Sequence, residues 1–352
     1  MTMTDQTHLS VENVSYSIGD EQILDDINFK LYAGEVSCLL GPSGCGKTTL
    51  LKLIAGLLCP DQGHIYLGDQ DITRVNGNLR LDKHPAMMVF QDLGLFPHMK
   101  VAENVAYGLN LKASKRKQRV EKILAQLDLK GYSARYPHEL SGGQQQRIAL
   151  ARALVLEPRI LLLDEPFANL DTALRQPLAE EILQLLREHG IITLLVTHDR
   201  EDALSLGDYV GVMGDGRILQ WDTPENLLYH PAQPQVARFT GHNSIIKGNL
   251  LGDGNVETVL GLVKARNDLQ TTVENTPVEV LLRCSDAQPT QANCGHAAKV
   301  IYRSLEAEQL IYALELENNE HIFALARQQL NLRVGDLTHV ELVNPFATVY
   351  NL

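Results

Sequence analysis

Apolar residues along the first part of the chain fall in short runs that switch between two periods. Leu9–Tyr16 and Ile27–Leu31 have strand-like spacing and predict an antiparallel pair near the start. Glu35–Leu40 and Met87–Phe90 are short apolar runs. Ile160–Leu163 and Ile191–Val196 are almost wholly apolar, as strands covered on both faces are. Between these runs the spacing becomes helical. Leu50, Leu51, Leu53, Ile54 and Leu57 predict a helix over Thr49–Leu58. Val120, Ile123, Leu124 and Leu127 predict a second, with Ser114 as a cap before it. Arg147–Leu156 is helical in pattern, and Leu178, Ile182, Leu185 and Leu186 stripe a long helix that stops at Gly190. Strands alternating with helices predict an α/β core with a mostly parallel sheet.

After Thr240 the pattern changes. Gly, Asn and Asp punctuate short β-rich runs. Leu310, Tyr312, Leu314 and Leu316 alternate with Ile311, Ala313, Glu315 and Glu317, and His321–Ala326 and Leu337–Val343 are further strands. Short, closely spaced strands predict a small all-β barrel of OB-like type. The expected organisation is therefore an α/β domain over residues 1–240 and a β-barrel domain over 241–352.

The chain has 352 residues and a formal net charge of −12. That size supports about two domains and a substantial core. The acidic balance argues against a nucleic-acid partner, which calls for a basic face. Lys115-Arg116-Lys117 is the main local exception and reads as a solvated helix start. Five cysteines, at 38, 45, 59, 284 and 294, form no Cys-x-x-Cys pair and point to a reducing compartment. Cys284, Cys294 and His296 match no standard zinc spacing. The start of the sequence is polar, and no run is long and apolar enough to span a bilayer, so a membrane role would come through a partner.

Residues 41–49 read Gly-Pro-Ser-Gly-Cys-Gly-Lys-Thr-Thr, which fits the phosphate-binding pattern with Gly41, Gly46, Lys47 and Thr48 in register. Glycines let backbone N–H groups approach an anion closely. Lys47 adds a positive charge at the β/γ-phosphates, and the Thr48 hydroxyl is an Mg²⁺ ligand. A strand before and a helix after complete an anion site, with Ser43, Gly44, Cys45 and Thr49 as its remaining wall. Ile160–Leu163 then runs into Asp164-Glu165, which places two carboxylates at the strand's carboxyl end, where open α/β sheets bind ligands. Asp164 is a candidate Mg²⁺ ligand and Glu165 a candidate general base.

Leu140-Ser141-Gly142-Gly143-Gln144 adds a second anion site at a helix start, and Ser141 and Gln144 also have capping-box spacing. With this pentapeptide the chain resembles the ATP-binding cassette (ABC) ATPases from residue 9 to residue 240. The resemblance implies a P-loop nucleotide-binding domain with a helical subdomain over about 92–158, and ATP and Mg²⁺ as ligands. It implies that Gln91 touches Mg²⁺ and the attacking water, and that His198 reaches the γ-phosphate. It implies as well that Tyr16 stacks on adenine and that Asp171, in Ala168-Asn169-Leu170-Asp171, belongs to the loop that crosses a dimer. In the family, the Ser141–Gln144 segment faces the γ-phosphate held by the other subunit, so a homodimer is implied.

Leu95-Phe96-Pro97-His98-Met99 and Val101–Leu109 resemble the part of bacterial importers that grips the coupling helix of a membrane permease. The region after residue 240 resembles the regulatory barrel of importer ATPases. Tyr136–Leu140 and Thr197–Glu201 look most like ferric-iron importers. The alternatives are polyamine, sulfate, molybdate or sugar importers, or a soluble ABC ATPase acting on nucleic acid. The implied setting is peripheral, at the cytoplasmic face of the inner membrane, with a periplasmic solute-binding protein as an indirect partner. Relatives often carry Arg-Pro-Glu early in the barrel, where this chain has Arg283-Cys284-Ser285.

Overall fold

The computed structural model describes residues 8–73, 84–168, 170, 172–267, 273–290, 295–306, 309–326 and 330–351. They fall into two units that divide between Pro224 and Glu225.

The first unit opens with strands β1 (His8–Ile18) and β2 (Glu21–Tyr32), paired antiparallel with Leu9 opposite Leu31 and Val14 opposite Ile27. Then come β3 (Val36–Leu40), helix α1 (Lys47–Ile54), β4 (Gln62–Leu67), β5 (Gln70–Asp71) and β6 (Ala86–Val89). Helices α2 (Val101–Ala106), α3 (Ala113–Gln126) and α4 (Gly142–Leu154) follow. Next are β7 (Ile160–Asp164), α5 (Thr172–Glu188), β8 (Ile192–Thr197), α6 (Arg200–Leu206), β9 (Tyr209–Gly214) and β10 (Arg217–Asp222). One sheet runs β2-β1-β4-β5 and the other β10-β9-β3-β8-β7-β6.

Every residue of β3, β7 and β8 is buried, which is why those segments are nearly unbroken apolar runs. β3, β6, β7 and β8 are mutually parallel, and Leu40 pairs with Thr197, Asp164 with Val196, and Val89 with Leu163. Their carboxyl ends are therefore level, and whatever follows each strand emerges on one rim. Two helix limits differ from the sequence reading. α1 starts at Lys47 and stops at Ile54, because Gly56 turns the chain with a φ of 69°. α3 starts at Ala113, so Ser114 lies inside it and Lys112 precedes it without a side-chain cap.

The second unit contains α7 (Pro224–Tyr229), whose first residue belongs to the first unit, and α8 (Pro234–Thr240). Its strands are β11 (Asn243–Gly252), β12 (Asn255–Thr258), β13 (Gly261–Ala265), β14 (Pro277–Arg283), β15 (Ala287–Thr290), β16 (His296–Glu306), β17 (Gln309–Leu316), β18 (His321–Ala326), β19 (Leu337–Leu342) and β20 (Phe346–Asn351). β11-β12-β13-β20-β14 close into a small barrel, as expected, but the strands from which it was expected, β17, β18 and β19, belong to a further sheet, β15-β19-β16-β17-β18. The division falls ahead of residue 240 because Val236 and Ala237 of α8 are buried and α8 packs on β11 and β14. A helix can thus belong to the barrel although composition changes only after it.

Candidate functional site: a strand-end rim in the first unit

The glycine loop leaves β3 at Leu40 and enters α1 at Lys47. A side chain at Gly41 would put its Cβ 2.5 Å from the Met213 carbonyl oxygen, so only glycine fits there. Gly44 and Gly46 have φ of 85° and 102°, a region that disfavours side chains. Lys47 is buried, and its Nζ donates to the carbonyls of Gly41 and Pro42 at 2.8 Å each. It also lies 3.7 Å from Cys45 Sγ. Burial pushes the Cys45 thiol up, against the nearby Lys47 charge, so the sulfur is a neutral packing atom. Ser43 is exposed and Thr49 half-buried beside the loop.

Thr48 is exposed, and its hydroxyl donates to Asp164 Oδ1 at 3.2 Å. Burial raises the Asp164 carboxyl above the usual range and the neighbouring Glu165 charge adds to this, while the Thr48 hydrogen bond opposes both. The three rim residues at the next strand ends meet directly. Gln91 Nε2 donates to Glu165 Oε2 at 3.2 Å, and His198 Nδ1 lies 2.8 Å from Glu165 Oε1. Glu165 is held in the left-handed region with a φ of 46°, and its N–H donates to the Val196 carbonyl at 2.9 Å. A non-glycine residue keeps that conformation only where its surroundings impose it.

Ser141–Gln144 form a separate cluster at the start of α4. Ser141 Oγ accepts from the Gln144 N–H at 3.4 Å, and Gln144 Oε1 accepts from the Ser141 N–H at 3.1 Å. Gln144 Nε2 also donates to the Tyr132 hydroxyl at 3.1 Å. Ser141 and Gly142 are exposed, and Gly143 is half-buried. Tyr16 is half-buried on β1 and packs partly on the core. Asn169, Asp171 and Cys294 lie outside the described residues. Among the described residues no cluster of three or more His, Cys, Asp and Glu is suited to a metal.

Several residues near the rim carry no signal in the sequence pattern. Asn104 is fully buried and ties down the loop before α2. It accepts from the Phe96 N–H at 2.8 Å and donates to the carbonyls of Phe96 and Met99 at 3.0 Å each. Arg152 on α4 donates to Gly94 O at 2.6 Å and Leu93 O at 2.8 Å, which links that helix to the segment after Gln91. Phe96 is half-buried, with its ring centroid 4.5 Å from that of Tyr107, and Tyr107 is the residue left 55% exposed. His98, Met99, Glu103, Tyr107 and Val120 are among the residues lining a groove of about 880 Å³ here. Spacing alone gave no signal for these long-range ties.

The ABC transporter family model matches residues 24–168. The spermidine/putrescine import ATP-binding protein PotA of Marinobacter nauticus is 41% identical over 330 residues, 91% of this chain and 87% of that protein. The Fe(3+) ions import ATP-binding protein FbpC of Haemophilus influenzae is 39% identical over 321 residues, 88% of this chain and 92% of that protein. Among solved structures, CbiO1 of Clostridium perfringens, described as part of the ABC transporter complex CbiONQ, aligns with a TM-score of 0.59 and 31% identity. It covers 66% of this chain and 94% of its own. Among the described residues no helix is long and apolar enough to cross a membrane.

Proposed function

The chain belongs to the ATP-binding subunits of ABC importers, which are ATPases, and we propose that its hydrolytic centre is the rim cluster around Glu165, completed by a second copy of the chain. The observation that carries this is the meeting of Gln91, Glu165 and His198 on the rim where Thr48 and Asp164 also meet. The α1 N-terminus and the loop N–H groups receive the phosphates. Lys47, now bonded to two carbonyls of its own loop, turns to the β/γ-phosphates. The Thr48 hydroxyl, the Asp164 carboxylate and the Gln91 amide offer the hard oxygen donors that suit Mg²⁺. When bound, that ion would supply positive charge to the phosphate oxygens.

Both Glu165 oxygens are engaged in this structure, one by Gln91 and one by His198. Each oxygen keeps a second lone pair, so Glu165 can accept a water beside these bonds, and it binds that water more strongly when one of them lets go. The γ-phosphate is a competing acceptor for the His198 ring N–H, so nucleotide binding loosens the His198 hold on the carboxylate. Glu165 then takes the proton of the attacking water as the oxygen bonds to the γ-phosphorus and the bond to ADP breaks.

The Ser141–Gly143 backbone and the α4 N-terminus form a second anion site that the chain's own glycine loop does not complete. A two-fold arrangement lets each copy's Ser141 segment close the other's nucleotide site. Mixing tests this. Lys47→Ala and Ser141→Arg chains, each inactive alone, form heterodimers with one intact site, and nucleotide trapping in the mixture is expected. No recovery on mixing would mean that each site works within its own chain.

The groove beside Tyr107 and Met99 is the docking place for a separate membrane permease, which puts the chain at the cytoplasmic face of the inner membrane. For the solute, ferric iron is favoured by the Tyr136–Leu140 and Thr197–Glu201 stretches and by the likeness to FbpC. Polyamine import is the second reading, favoured by the likeness to PotA. Uptake by a strain lacking this chain decides between them. Loss of ferric uptake with normal spermidine uptake supports iron, and the reverse supports polyamine.

A further inference from the structure

One largely buried cation stands beside the centre. Arg175 lies in the first turn of α5, and its side chain is only 22% exposed. Nη1 donates to Asp199 Oδ2 at 3.2 Å, and Nη2 reaches the carbonyls of Ala168 and Leu170 at 3.5 Å each. Its buried Nε has no hydrogen-bond partner among the described residues. Arg175 lines a cavity of about 60 Å³ together with Glu165, His198, Asp199 and Asp202. The guanidinium fork therefore touches both segments that carry the site, the loop after Glu165 and the residue after His198.

Asp199 is committed on both oxygens. Oδ1 caps α6 by accepting from the Glu201 N–H at 2.8 Å and the Asp202 N–H at 3.3 Å, and Oδ2 takes Arg175. The Asp199 N–H donates to Thr197 Oγ1 at 2.9 Å, at the end of β8. His198 thus stands between two anchored residues. Asp199, Glu201, Asp202 and Glu165 crowd acidic charge here. Burial and the carboxylates of Asp199 and Glu201 raise the Asp202 carboxyl, while Arg175 and His198 lower it. A planar fork can hold two carbonyls and a carboxylate together, which a point charge cannot.

We propose that Arg175 is a positioning residue that joins the Ala168 and Leu170 carbonyls to Asp199, and so sets the Glu165 to His198 geometry that ATP hydrolysis requires. The inference rests on the roles given above to Glu165 and His198. It assigns Arg175 no contact with nucleotide, so its effect falls on turnover rather than on binding.

The test is steady-state ATP hydrolysis by the purified full chain, expressed per nucleotide site counted by ATP titration. Arg175→Met lowers kcat about 10- to 100-fold, the scale of an ångström-sized misplacement, while KM for ATP stays within about threefold. Arg175→Lys keeps the charge and still loses turnover. Asp199→Asn keeps the α6 cap but breaks the ion pair, and shows the same loss. The Arg175→Met/Asp199→Asn double variant is no slower than either single one, because both break one link. Parental kcat per site in Arg175→Met, or losses that multiply in the double variant, would overturn the inference. Misfolding reduces the number of sites titrated, not the rate per site. Glu165→Gln, measured in parallel, separates the two failures. If it turns over ATP at the parental rate, the reading of the centre falls. If it is inactive while Arg175→Met has parental kcat, only the role of Arg175 falls.

Discussion

The strand-end rim of the first unit and the core of the second spend their polar side chains in opposite ways. On the rim, Gln91, Glu165 and His198 are bonded mainly to one another, His198 is 60% exposed, and Glu165 sits in a disfavoured backbone region. In the second unit the buried polar groups serve the backbone. The Tyr312 hydroxyl donates to Leu330 O at 2.8 Å, and Thr338 Oγ1 donates to Thr290 O at 2.8 Å. Asp286 accepts from the Arg283 N–H at 2.9 Å, and Ser244 Oγ accepts from the Phe323 N–H at 2.7 Å. Rim bonds can be exchanged for bonds to a ligand, and core bonds cannot be exchanged for anything. Changes on the rim should therefore alter turnover with little loss of stability, and changes in the second unit's core should do the reverse.

The largest effect expected from this contrast is at Glu165. Glu165→Gln keeps the size of the side chain and removes the base, so kcat should fall about 10²–10⁴-fold while ATP still binds. Thermal unfolding should stay near the parental midpoint. A Glu165→Gln chain that hydrolyses ATP normally, or one that melts far lower, would break the contrast at its strongest point.

How far the sequence reveals each region follows from the same physics. The glycine loop is legible because a phosphate cradle built from backbone needs consecutive residues. Asp164, Glu165 and His198 are legible because apolar strands end just before them and parallel register levels those ends. Arg175 and Asp199 stand 24 residues apart and meet only through folding. Asn104 and Arg152 likewise act on a loop that their own helical pattern does not mention. In the second unit, alternation marks strands and faces but not partners. It finds β17, β18 and β19 but assigns them to the barrel, whereas they pair in the further five-stranded sheet. Ile311 and Ala313 are buried along with Tyr312 and Leu314, so β17 is covered on both faces where alternation implied one.

The next effect in size is on coupling. Tyr107 is exposed at the groove assigned to the permease, whereas Phe96 is half-buried against it, so Tyr107→Asp is the cleaner probe. Transport should fall at least about tenfold, as when a central aromatic contact is replaced by a charge, while the isolated chain still hydrolyses ATP. Equal loss of transport and hydrolysis would mean that the groove supports the site itself. A smaller effect tests the other side of the contrast. Tyr312→Phe removes one hydroxyl and leaves the Leu330 carbonyl without its bond, which should cost about 1–2 kcal/mol of stability. The midpoint drops by a few degrees and kcat per site is unchanged. A fall in kcat would show that the second unit reaches the chemistry.

Asp164 sharpens the comparison most finely, because it belongs to the rim but is buried as a core residue is. Its carboxyl is raised above the ordinary aspartate range, chiefly by burial. The folded chain therefore binds this proton more tightly than the unfolded chain. Between the unfolded value and the raised folded one, the native state holds more proton, so this group's contribution to stability falls as pH rises. At neutral pH the ionised carboxylate is a net cost to the nucleotide-free protein, and its value lies in the ligand it awaits. Asp164→Asn should thus raise the unfolding midpoint slightly at pH 7 and flatten the decline in stability across the acidic window. It should also weaken hydrolysis, because an oxygen donor has lost its charge. Unfolding followed from pH 4 to pH 7 with and without the substitution checks the sign. A midpoint lowered at pH 7 would show that Asp164 is a structural residue whose charge the fold itself requires.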